Sequence, residues 1–264
     1  MAGQPLFHFH AKKTHLHSQK NIFFIAPCPP FVYNVRMSKI YISCRAHPAV
    51  TDWLRTEGHQ VEVFGAETLL PVDPAICHHP DLLHCSLGPG RPVFHGNACR
   101  LGERYPADAI YNACCTGRYF IHKLKCTDPA LLHFVKSAGL TMIDVPQGYT
   151  RCSCLPVDEN SIITADQGIL RACRRAGLQA LEAGPGFVRL PGYPYGFLGG
   201  AAGRVGDTIL FHGDLSAHPD GSCIRAFIEA RGLQCVDFKE FPLTDIGSVI
   251  EEPFPETAGI QEHI

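Results

Sequence analysis

One short pattern occurs four times in this chain, and it strongly limits the folds that the chain can adopt. In each copy, apolar residues at helical spacing end at a glycine, and an apolar run follows at once. The copies cover residues 50–58, 131–139, 169–177 and 223–232. A helix that ends in a left-handed glycine cap and leads into a strand has this pattern. Four copies predict a repeat architecture rather than one continuous α/β sheet.

The spacing of these glycines predicts a module of roughly 40 residues. Gly139 and Gly177 are 38 residues apart, whereas Gly58 and Gly139 are 81 apart, which corresponds to two modules. Three segments between the helices share the pattern of a strand, a polar turn and a second strand. They cover residues 85–95, 152–166 and 200–212. The predicted unit is therefore ββαβ, and the chain holds five such units.

Composition narrows the functional classes. The chain carries 23 Lys and Arg against 25 Asp and Glu, a net charge of −2, and it has no basic stripe that would indicate a nucleic-acid partner. No apolar run approaches the ~20 residues that a membrane helix requires. The 13 cysteines form no Cys-x-x-Cys pair, which indicates buried thiols in a reducing cytosol. We expect a cytoplasmic protein that binds neither nucleic acid nor membrane.

The two ends of the chain lack the module pattern. Residues 1–36 contain several histidines and prolines without periodicity, and residues 37–42 open like an ordinary protein start that leads into a strand. We interpret residues 1–36 as an unstructured extension that is not part of the native protein. Residues 37–250 are predicted to form a single domain, and residues 251–264 a flexible tail.

Several motifs set within this module pattern resemble one known superfamily. They are Asp144-Val-Pro-Gln-Gly-Tyr149, Cys152-Ser-Cys154, Ile162-Ile-Thr-Ala-Asp166 and Tyr195-Gly-Phe-Leu-Gly-Gly200. With its five units, the chain from residue 39 to 250 resembles the guanidino-group-modifying superfamily, also called pentein or amidinotransferase-like. Within it, the chain is most similar to an uncharacterised bacterial branch, a domain of unknown function. The resemblance implies a fivefold pseudosymmetric α/β propeller with helices outside and a polar funnel at the axis.

The resemblance also implies a chemistry. Active members hold a guanidinium group between carboxylates, a cysteine thiolate attacks its central carbon, and a histidine oriented by an acid moves protons. These residue types suit the task, because a thiolate is a good nucleophile near neutral pH and paired carboxylates match a planar guanidinium. Enzymes of the superfamily carry their cysteine close to the C-terminus. Residues 236–264 of this chain contain no cysteine.

Two pairs of residues are candidates for the histidine and its acid. His212 and Asp214 follow a predicted strand and resemble the His-x-acid pair of the arginine deiminases. His79 and Asp81 precede a segment that has the pattern of a strand. A loop histidine with local hydrogen bonds would explain the first pair equally well, and a polar turn would explain the second.

Three cysteines lie in predicted first strands of modules and are candidates for the nucleophile. They are Cys85, Cys152 and Cys154. Strict alternation along a strand puts Cys152 and Cys154 on one face. Both therefore line the axis, or both are buried.

Four residues are candidates for ligand binding. Gly199 and Gly200 permit close backbone approach, and Arg204 can pair with a carboxylate or phosphate. Tight turns around the axis explain the glycines as well, and helix capping is the alternative for the fourth candidate, Asp166. The glycine spacing matches no nucleotide-binding fingerprint, so we expect no cofactor.

One group of residues carries the donor types that zinc prefers. It consists of His78, His79, His84 and Cys85. Their spacing is not that of an ordinary zinc motif, so we expect no metal.

Two functional hypotheses follow. The first is an axial pocket for a small guanidino- or amine-type ligand, with activity as a cysteine-dependent hydrolase or amidinotransferase. The alternative is a non-catalytic member of the fold that binds a small molecule or a protein. The sequence leaves the substrate and the oligomeric state open.

Overall fold

The computed structural model describes residues 37–66 and 70–254. The predictions for residues 1–36 and for the chain beyond residue 254 lie outside the described residues. The domain boundary predicted at residue 250 is wrong, because strand β14 (Ile250–Pro253) pairs antiparallel with strand β1 (Ser38–Ser43). Tyr41 Oη adds a 2.7 Å hydrogen bond to Glu252 in that pairing. Residues 251–253 therefore belong to the folded domain.

The four repeated segments form helices, and each helix is followed by a glycine of positive φ. These four helices are α1 (Pro48–Thr56), α2 (Pro129–Ser137), α4 (Gln167–Arg175) and α5 (Gly221–Glu229). A further single turn, α3 (Thr150–Ser153), is not one of the repeated segments. Gly58, Gly139, Gly177 and Gly232 have φ between 72° and 88°, which a residue without a Cβ adopts at no steric cost. The helix and glycine-cap prediction is confirmed. In the described part of the chain, none of these helices has the length and apolar character needed to cross a membrane.

The strands form five small sheets, which makes the protein a mixed α/β fold. Besides β1 and β14, the strands are β2 (Gln60–Phe64), β3 (His84–Ser86), β4 (Val93–His95), β5 (Cys114–Cys115), β6 (Tyr119–His122), β7 (Thr141–Asp144), β8 (Cys154–Asp158), β9 (Ser161–Thr164), β10 (Gln179–Glu182), β11 (Ala202–Val205), β12 (Thr208–Phe211) and β13 (Gln234–Val236).

Three of the sheets are complete ββαβ units. In each, two consecutive strands pair antiparallel, a helix follows, and the next strand pairs parallel to the second: β5–β6–α2–β7, β8–β9–α4–β10 and β11–β12–α5–β13. A fourth sheet has the same arrangement, but β14 from the end of the domain supplies the first strand of β14–β1–α1–β2. The fifth sheet is reduced to β3–β4.

The first strands of the five sheets adjoin one another in a closed order. β3 contacts β5, β5 contacts β8, β8 contacts β11, β11 contacts β14, and β14 contacts β3. Apolar side chains pack between neighbouring sheets and helices; in one cluster, Leu155 and Ile163 of one sheet meet Phe211 of the next and Ile224 of α5. Residues just ahead of the five first strands are therefore brought close together, and we call this closed order of contacts the ring.

The segment that contains Cys152 differs from its prediction. Cys152 lies in the helical turn α3, and β8 begins at Cys154, so these two cysteines do not share the face of a strand. The N–H groups of Thr150 and Arg151 both donate to the carbonyl of Asn112, at 3.0 and 3.1 Å. These bonds hold the backbone in a turn, and they turn Cys152 toward the neighbouring unit.

Candidate active site

Five residues occupy similar places just ahead of the five first strands. They are Asp81, Asn112, Cys152, Gly200 and Ser248. Backbone hydrogen bonds link neighbours: Gly200 N donates to Cys152 O (2.9 Å), and Ser248 N donates to Gly200 O (2.8 Å). The fold therefore brings one position from each unit to a common centre, which we call the axial cluster together with His79 and Asp245.

Cys152 supplies a thiol at this centre, and its side chain is almost fully buried. Its Sγ donates to Asp81 Oδ2 (2.8 Å), and Asn112 Nδ2 donates to Sγ (3.4 Å). Burial, reinforced by the carboxylates of Asp81 and Asp245, raises the pKa of Cys152 well above its usual value. Without a ligand, Cys152 is therefore a neutral thiol, which is a poor nucleophile unless a change in the surrounding charge favours the thiolate.

Asp81 is fully buried and is bonded through only one of its oxygens. Cys152 Sγ and Ser248 Oγ both donate to Oδ2, each at 2.8 Å. Oδ1 has no hydrogen-bond partner among the described residues. Burial raises the pKa of Asp81 to about 6. A positive charge beside Oδ1 would oppose that shift and stabilise the carboxylate.

His79 and Asp245 complete the axial cluster. Asp245 accepts hydrogen bonds from Phe197 N (2.9 Å) and Gly247 N (3.0 Å), and His79 Nδ1 lies 3.9 Å from its Oδ1. A Cβ on Gly200 would collide with the Asp245 carboxylate, so the glycine at that ring position makes room for the acid. Burial raises the pKa of Asp245 to about 7 and lowers the pKa of His79 well below its usual value.

Three side chains of the axial cluster converge closely. His79, Cys152 and Asp245 each offer one donor atom, and these atoms all lie within 4.8 Å of one another. His79 Nε2, like Asp81 Oδ1, finds no hydrogen-bond partner in the described part of the chain. A buried polar atom without a partner costs about 1–3 kcal/mol. The arrangement has the capacity to hold a cation between two carboxyls and beside a thiol.

Arg151, the residue before Cys152, carries a buried guanidinium beneath the ring. It donates to the carbonyls of Cys154 (3.3 Å), Gly199 (3.0 Å), Ala202 (3.1 Å) and Val249 (3.4 Å). Its charge lowers the pKa values of Asp81 and Asp245, but burial outweighs it at both acids. Because these bonds go to backbone carbonyls of neighbouring units, Arg151 chiefly holds the units together.

The predicted pair of His212 and Asp214 is not assembled. His47 N donates to His212 Nε2 (2.9 Å), and Nδ1 donates to a backbone carbonyl (3.1 Å), so both ring nitrogens are bonded. Asp214 accepts from Ser216 Oγ (2.6 Å) and from Lys239 Nζ (2.9 Å), and these hydrogen bonds lower its pKa to about 2. The two side chains have separate structural partners, and the partners of His212 are distant in the chain rather than local as the alternative stated.

Cys154 and Cys85 are core residues. Cys154 is fully buried in an apolar cluster with Ile162 and Ile169, and burial raises the pKa of its thiol well above the usual value. Cys85 Sγ lies 3.8 Å from Cys115 Sγ in a second apolar cluster. Packing accounts for both residues, so Cys152 alone of the three candidates belongs to the axial cluster.

Gly199 and Asp166 have structural roles. A Cβ on Gly199 would collide with the carbonyls of Arg151 and Cys154, which agrees with the alternative of tight turns around the axis. Asp166 Oδ1 accepts from Ile169 N (2.8 Å) and caps α4, which agrees with the alternative stated for it. Asp166 also lines a cleft beside the axial cluster.

Arg204 lies within β11, away from the axial cluster. Its guanidinium donates to the carbonyls of Val157 and Gly206, both at 2.8 Å. The cavity that Arg204 lines together with Arg151 and Glu251 has room of only about 30 Å³, enough for one or two water molecules. This end of the ring is too narrow for a small organic ligand.

Of the four residues considered as zinc ligands, His79 alone joins the axial cluster. His78 Nδ1 lies 2.7 Å from Ser43 Oγ, and His84 Nδ1 lies 3.0 Å from His95 Nδ1. Because the remaining residue, Cys85, is in the core, the four do not converge.

The sequence does not single out Asn112, Ser248 or Asp245. Asn112 and Ser248 lie two residues ahead of a first strand, as Cys152 and Gly200 do, and this shared position is the signal that marks them. The signal is weak because β5 is only two residues long and β14 falls in the segment predicted as a tail. Asp245 lies outside this register, and no local sequence feature marks it.

One known family matches the chain. DUF6873, a family of unknown function, matches residues 94–250, which is more than half of the 264 residues. The matched segment contains Asn112, Cys152 and Asp245, whereas His79 and Asp81 precede it. No curated protein matches the chain.

Proposed function

The chain belongs to DUF6873, a family of unknown function, and we propose that it is a pentein-type enzyme that acts on a guanidino or amidino group. In this proposal Cys152 is the nucleophile, His79 moves protons, and Asp81 and Asp245 hold the cationic group of a small ligand. One observation carries it: a thiol, an imidazole and two buried carboxyls converge, and Asp81 Oδ1 and His79 Nε2 have no partners within the described residues.

The arrangement of the sheets supports the pentein part of the proposal. Five small sheets adjoin in a closed order through their first strands. A fivefold pseudosymmetric propeller, with the first strand of each unit innermost and its helix outside, would have this order of contacts. The axial cluster would then lie at the mouth of the axis, where each unit contributes to one site.

The charge of the axial cluster favours a cationic ligand. Two buried carboxyls stand beside a neutral thiol and an imidazole whose pKa is lowered by burial. A cation between Asp81 and Asp245 would stabilise both carboxylates and offset the cost of burying them. A guanidinium or amidinium group is planar and has several N–H donors, so it can bond to Asp81 Oδ1 and to Asp245 at once.

The same cation would activate Cys152. Burial and, in addition to it, the two acids raise the pKa of the thiol in the resting protein, and a bound guanidinium would counter the field of the acids and favour the thiolate. The proton would pass to His79, whose Nε2 is without a partner in the described structure. Binding and activation are therefore coupled, which keeps the thiol inert until a cationic ligand is present.

The bond changes are those of nucleophilic catalysis. The thiolate attacks the central carbon and forms a C–S bond, the C–N bond to the leaving amine breaks, and the amine takes the proton from His79. Water then attacks the same carbon and gives one proton to His79, and the C–S bond breaks. The departing sulfur takes the second proton of that water, which regenerates the Cys152 thiol, and His79 releases its proton to the product amine or to solvent. An acceptor amine in place of water would make the reaction an amidino transfer.

Because Cys152 is buried and Phe197 contacts Asp245 of the axial cluster, residues 193–197 are the segment that we propose moves when a ligand enters. Tyr193 Oη donates to Asp73 (2.8 Å), and Phe197 N donates to Asp245 (2.9 Å). The Tyr193 and Tyr195 side chains are 47% and 46% exposed, so moving them uncovers little apolar surface. Closure of this segment over a ligand would exclude water from the axial cluster.

Turnover by the full chain tests the proposal. The protein is incubated with a panel of simple guanidines and amidines, and the release of ammonia or amine is measured. We expect Cys152→Ala to abolish release. Cys154→Ala, a matched substitution two residues away in the core, should leave the rate per folded molecule within about twofold of the unaltered protein, since the thiol is remote from the reaction.

Three outcomes separate the hypotheses. Activity that survives in Cys152→Ala contradicts the assignment of the nucleophile. Binding of a guanidine without turnover favours the non-catalytic member of the fold. If no guanidine or amidine binds the unaltered protein, the proposed ligand class is wrong.

The convergence of His79, Cys152 and Asp245 also favours a second candidate function, the binding of a divalent transition metal. Imidazole nitrogen, thiolate sulfur and carboxylate oxygen are donor types that zinc takes, and the three lie within 4.8 Å. Because zinc requires the thiolate, its binding would release a proton. Equimolar Zn²⁺ binding that Cys152→Ala abolishes would support this candidate, and equal weak binding by both proteins would reject it.

A further inference from the structure

A cleft with a volume of about 380 Å³ lies beside the axial cluster. It is lined by residues of α3, of the turn from β9 into α4, of the loop that follows β10 and of the loop ahead of β11. Two of its wall residues also adjoin the axial cluster: Ser153 follows Cys152 in α3, and Phe197 donates its N–H to Asp245 (2.9 Å). A ligand that is held at Cys152 and has a long enough chain would extend into this cleft.

Ser153 points to a ligand in the cleft. Ser153 is one of the residues that line the cleft, it is only 4% exposed, and its buried Oγ has no hydrogen-bond partner among the residues that the structure describes. A buried hydroxyl without a partner costs about 1–3 kcal/mol relative to a bonded one. A polar ligand atom at this place would remove that cost.

The charges around the cleft select the kind of group that it takes. None of the residues that line it is Lys, Arg or His. Asp166 lines it. The lining residue Gly184 contacts both Asp220, to which its N–H donates (2.7 Å), and His218, whose Nε2 lies 3.1 Å from the Gly184 carbonyl oxygen. The N-terminus of α4 contributes roughly half a positive charge, but Asp166 carries a full negative charge and caps that terminus at Ile169 N (2.8 Å). The field in the cleft is therefore negative on balance, which favours an ammonium group over a carboxylate.

Aromatic and aliphatic side chains fill the rest of the wall. Tyr195, Phe197, Val188 and Leu198 line the cleft. Their apolar surface suits a methylene chain, and the faces of the two rings attract a cation.

We infer that the cleft binds the distal part of the substrate, and that the substrate is a guanidine or amidine whose chain ends in an ammonium group. This inference rests on the function proposed at Cys152. Ser153 Oγ accepts a hydrogen bond from the distal ammonium, and Asp166 supplies its counter-charge. Substrates of amino-acid type, whose distal end carries a carboxylate, bind less well.

Alkylation of Cys152 by 2-chloroacetamidine tests the two parts separately. The thiolate sulfur displaces chloride from the CH₂ carbon of the reagent, and the thiol proton passes to His79 or to water. The reagent is short, so it requires the axial cluster but not the cleft. The extent of modification is measured by peptide mass spectrometry on the full chain. Three guanidines with four-carbon chains then compete with the reagent, and their chains end in an ammonium, a methyl or a carboxylate group.

We expect the ammonium compound to protect Cys152 at a concentration at least about tenfold lower than the methyl compound, and the carboxylate compound to protect least. Asp166→Asn keeps an N-cap side chain on α4 but removes its charge. It should therefore reduce the preference for ammonium over methyl severalfold. Asp207→Asn, an exposed acid in the turn between β11 and β12, is the matched control and should leave the preference unchanged.

The two ways to fail are distinct. If Cys152 is alkylated but the carboxylate compound protects as well as the ammonium compound, or if Asp166→Asn leaves the preference intact, the assignment of the cleft is wrong and the proposed function stands. If the reagent does not modify Cys152, the proposed function fails, and this inference fails with it.

Discussion

Two regions of the molecule carry a histidine and an acid that the sequence offers as a catalytic pair, and the regions differ in what their polar atoms contact. At the end of β12, both nitrogens of His212 are bonded and Asp214 is held by Ser216 and Lys239. In the axial cluster, His79 Nε2 and Asp81 Oδ1 have no partner among the described residues. In the first region both nitrogens of the histidine and the carboxylate have partners within the protein. In the second region two buried polar atoms are still able to accept or donate a hydrogen bond. The difference indicates a structural role for the first and a ligand for the second.

The largest expected difference between the two regions is in ligand affinity, when one negative charge is removed from each. Asp81→Asn keeps an oxygen to accept from Cys152 and Ser248 and loses the charge beside Oδ1. We expect the affinity for methylguanidine, measured by calorimetry, to fall at least about 100-fold, because a charged hydrogen-bond partner is lost from a buried site. Asp214→Asn is the matched control, and the affinity of this variant for methylguanidine should stay within about twofold of that of the unaltered protein. Equal losses in the two variants would erase the distinction.

Replacement of the two histidines should affect stability in one order and turnover in the opposite order. His212→Ala leaves a donor and an acceptor of the backbone without their partner, whereas the ring of His79 approaches Asp245 only to 3.9 Å. We expect His212→Ala to lower the free energy of unfolding by about 2 kcal/mol more than His79→Ala does. Chemical denaturation measures this difference. In turnover the order should reverse, since in the proposed mechanism His79 and not His212 moves protons; a larger loss of turnover in folded His212→Ala would contradict the comparison.

A smaller effect is expected in the pH dependence of the free energy of unfolding, beginning with Asp81. Burial raises the pKa of Asp81 from 3.8 to about 6, so the folded protein binds this proton more tightly than the unfolded chain does. The stability from this group is complete below pH 3.8 and is lost as pH rises through about 6. Asp81→Asn lacks this titration. Between pH 4 and 7 it should therefore gain about 1–2 kcal/mol relative to the unaltered protein.

In the same denaturation series, the stability that Asp214 contributes should change with pH in the direction opposite to that of Asp81. Its partners lower the pKa to about 2, so the stability it contributes is present above pH 3.8 and is lost as pH falls toward 2. Asp214→Asn should therefore differ from the unaltered protein at neutral pH and approach it in acid. A shared sign for Asp81→Asn and Asp214→Asn would show that the two acids do not differ in environment as described.

The fold was largely predictable because its repeating signal is local. Apolar spacing, a glycine of positive φ and a following strand lie within a few residues of one another, and this pattern identifies α1, α2, α4 and α5 directly. The pairing of the last strand has no such local signal, because β14 joins the sheet of β1 from the other end of the domain. A segment of Glu and Pro that pairs with a distant strand looks like a tail in the sequence, and the predicted boundary at residue 250 is wrong for that reason.

The site was predictable in part. His79, Asp81 and Cys152 are among the predicted residues because their side chains carry chemistry, but the grouping depends on contacts between units. Cys152 reaches the centre through the α3 turn, which bonds to the carbonyl of Asn112. Asp245 enters through the space that Gly200 leaves. Neither contact has a signature in the local sequence, whereas the bonded state of His212 depends on the distant backbone N–H of His47.

The most direct test of the central claim compares two reagents of nearly equal shape, cationic 2-chloroacetamidine and neutral 2-chloroacetamide, at every cysteine of the full chain. Exposed Cys44, Cys99 and Cys223 serve as internal controls, and peptide mass spectrometry gives the rate at each site. If Asp81 and Asp245 hold a cation beside Cys152, the ratio of the amidine rate to the amide rate at Cys152 should exceed that of the exposed cysteines at least about tenfold. The same ratio at Cys152 as at the exposed cysteines, or no reaction with either reagent, would contradict the account.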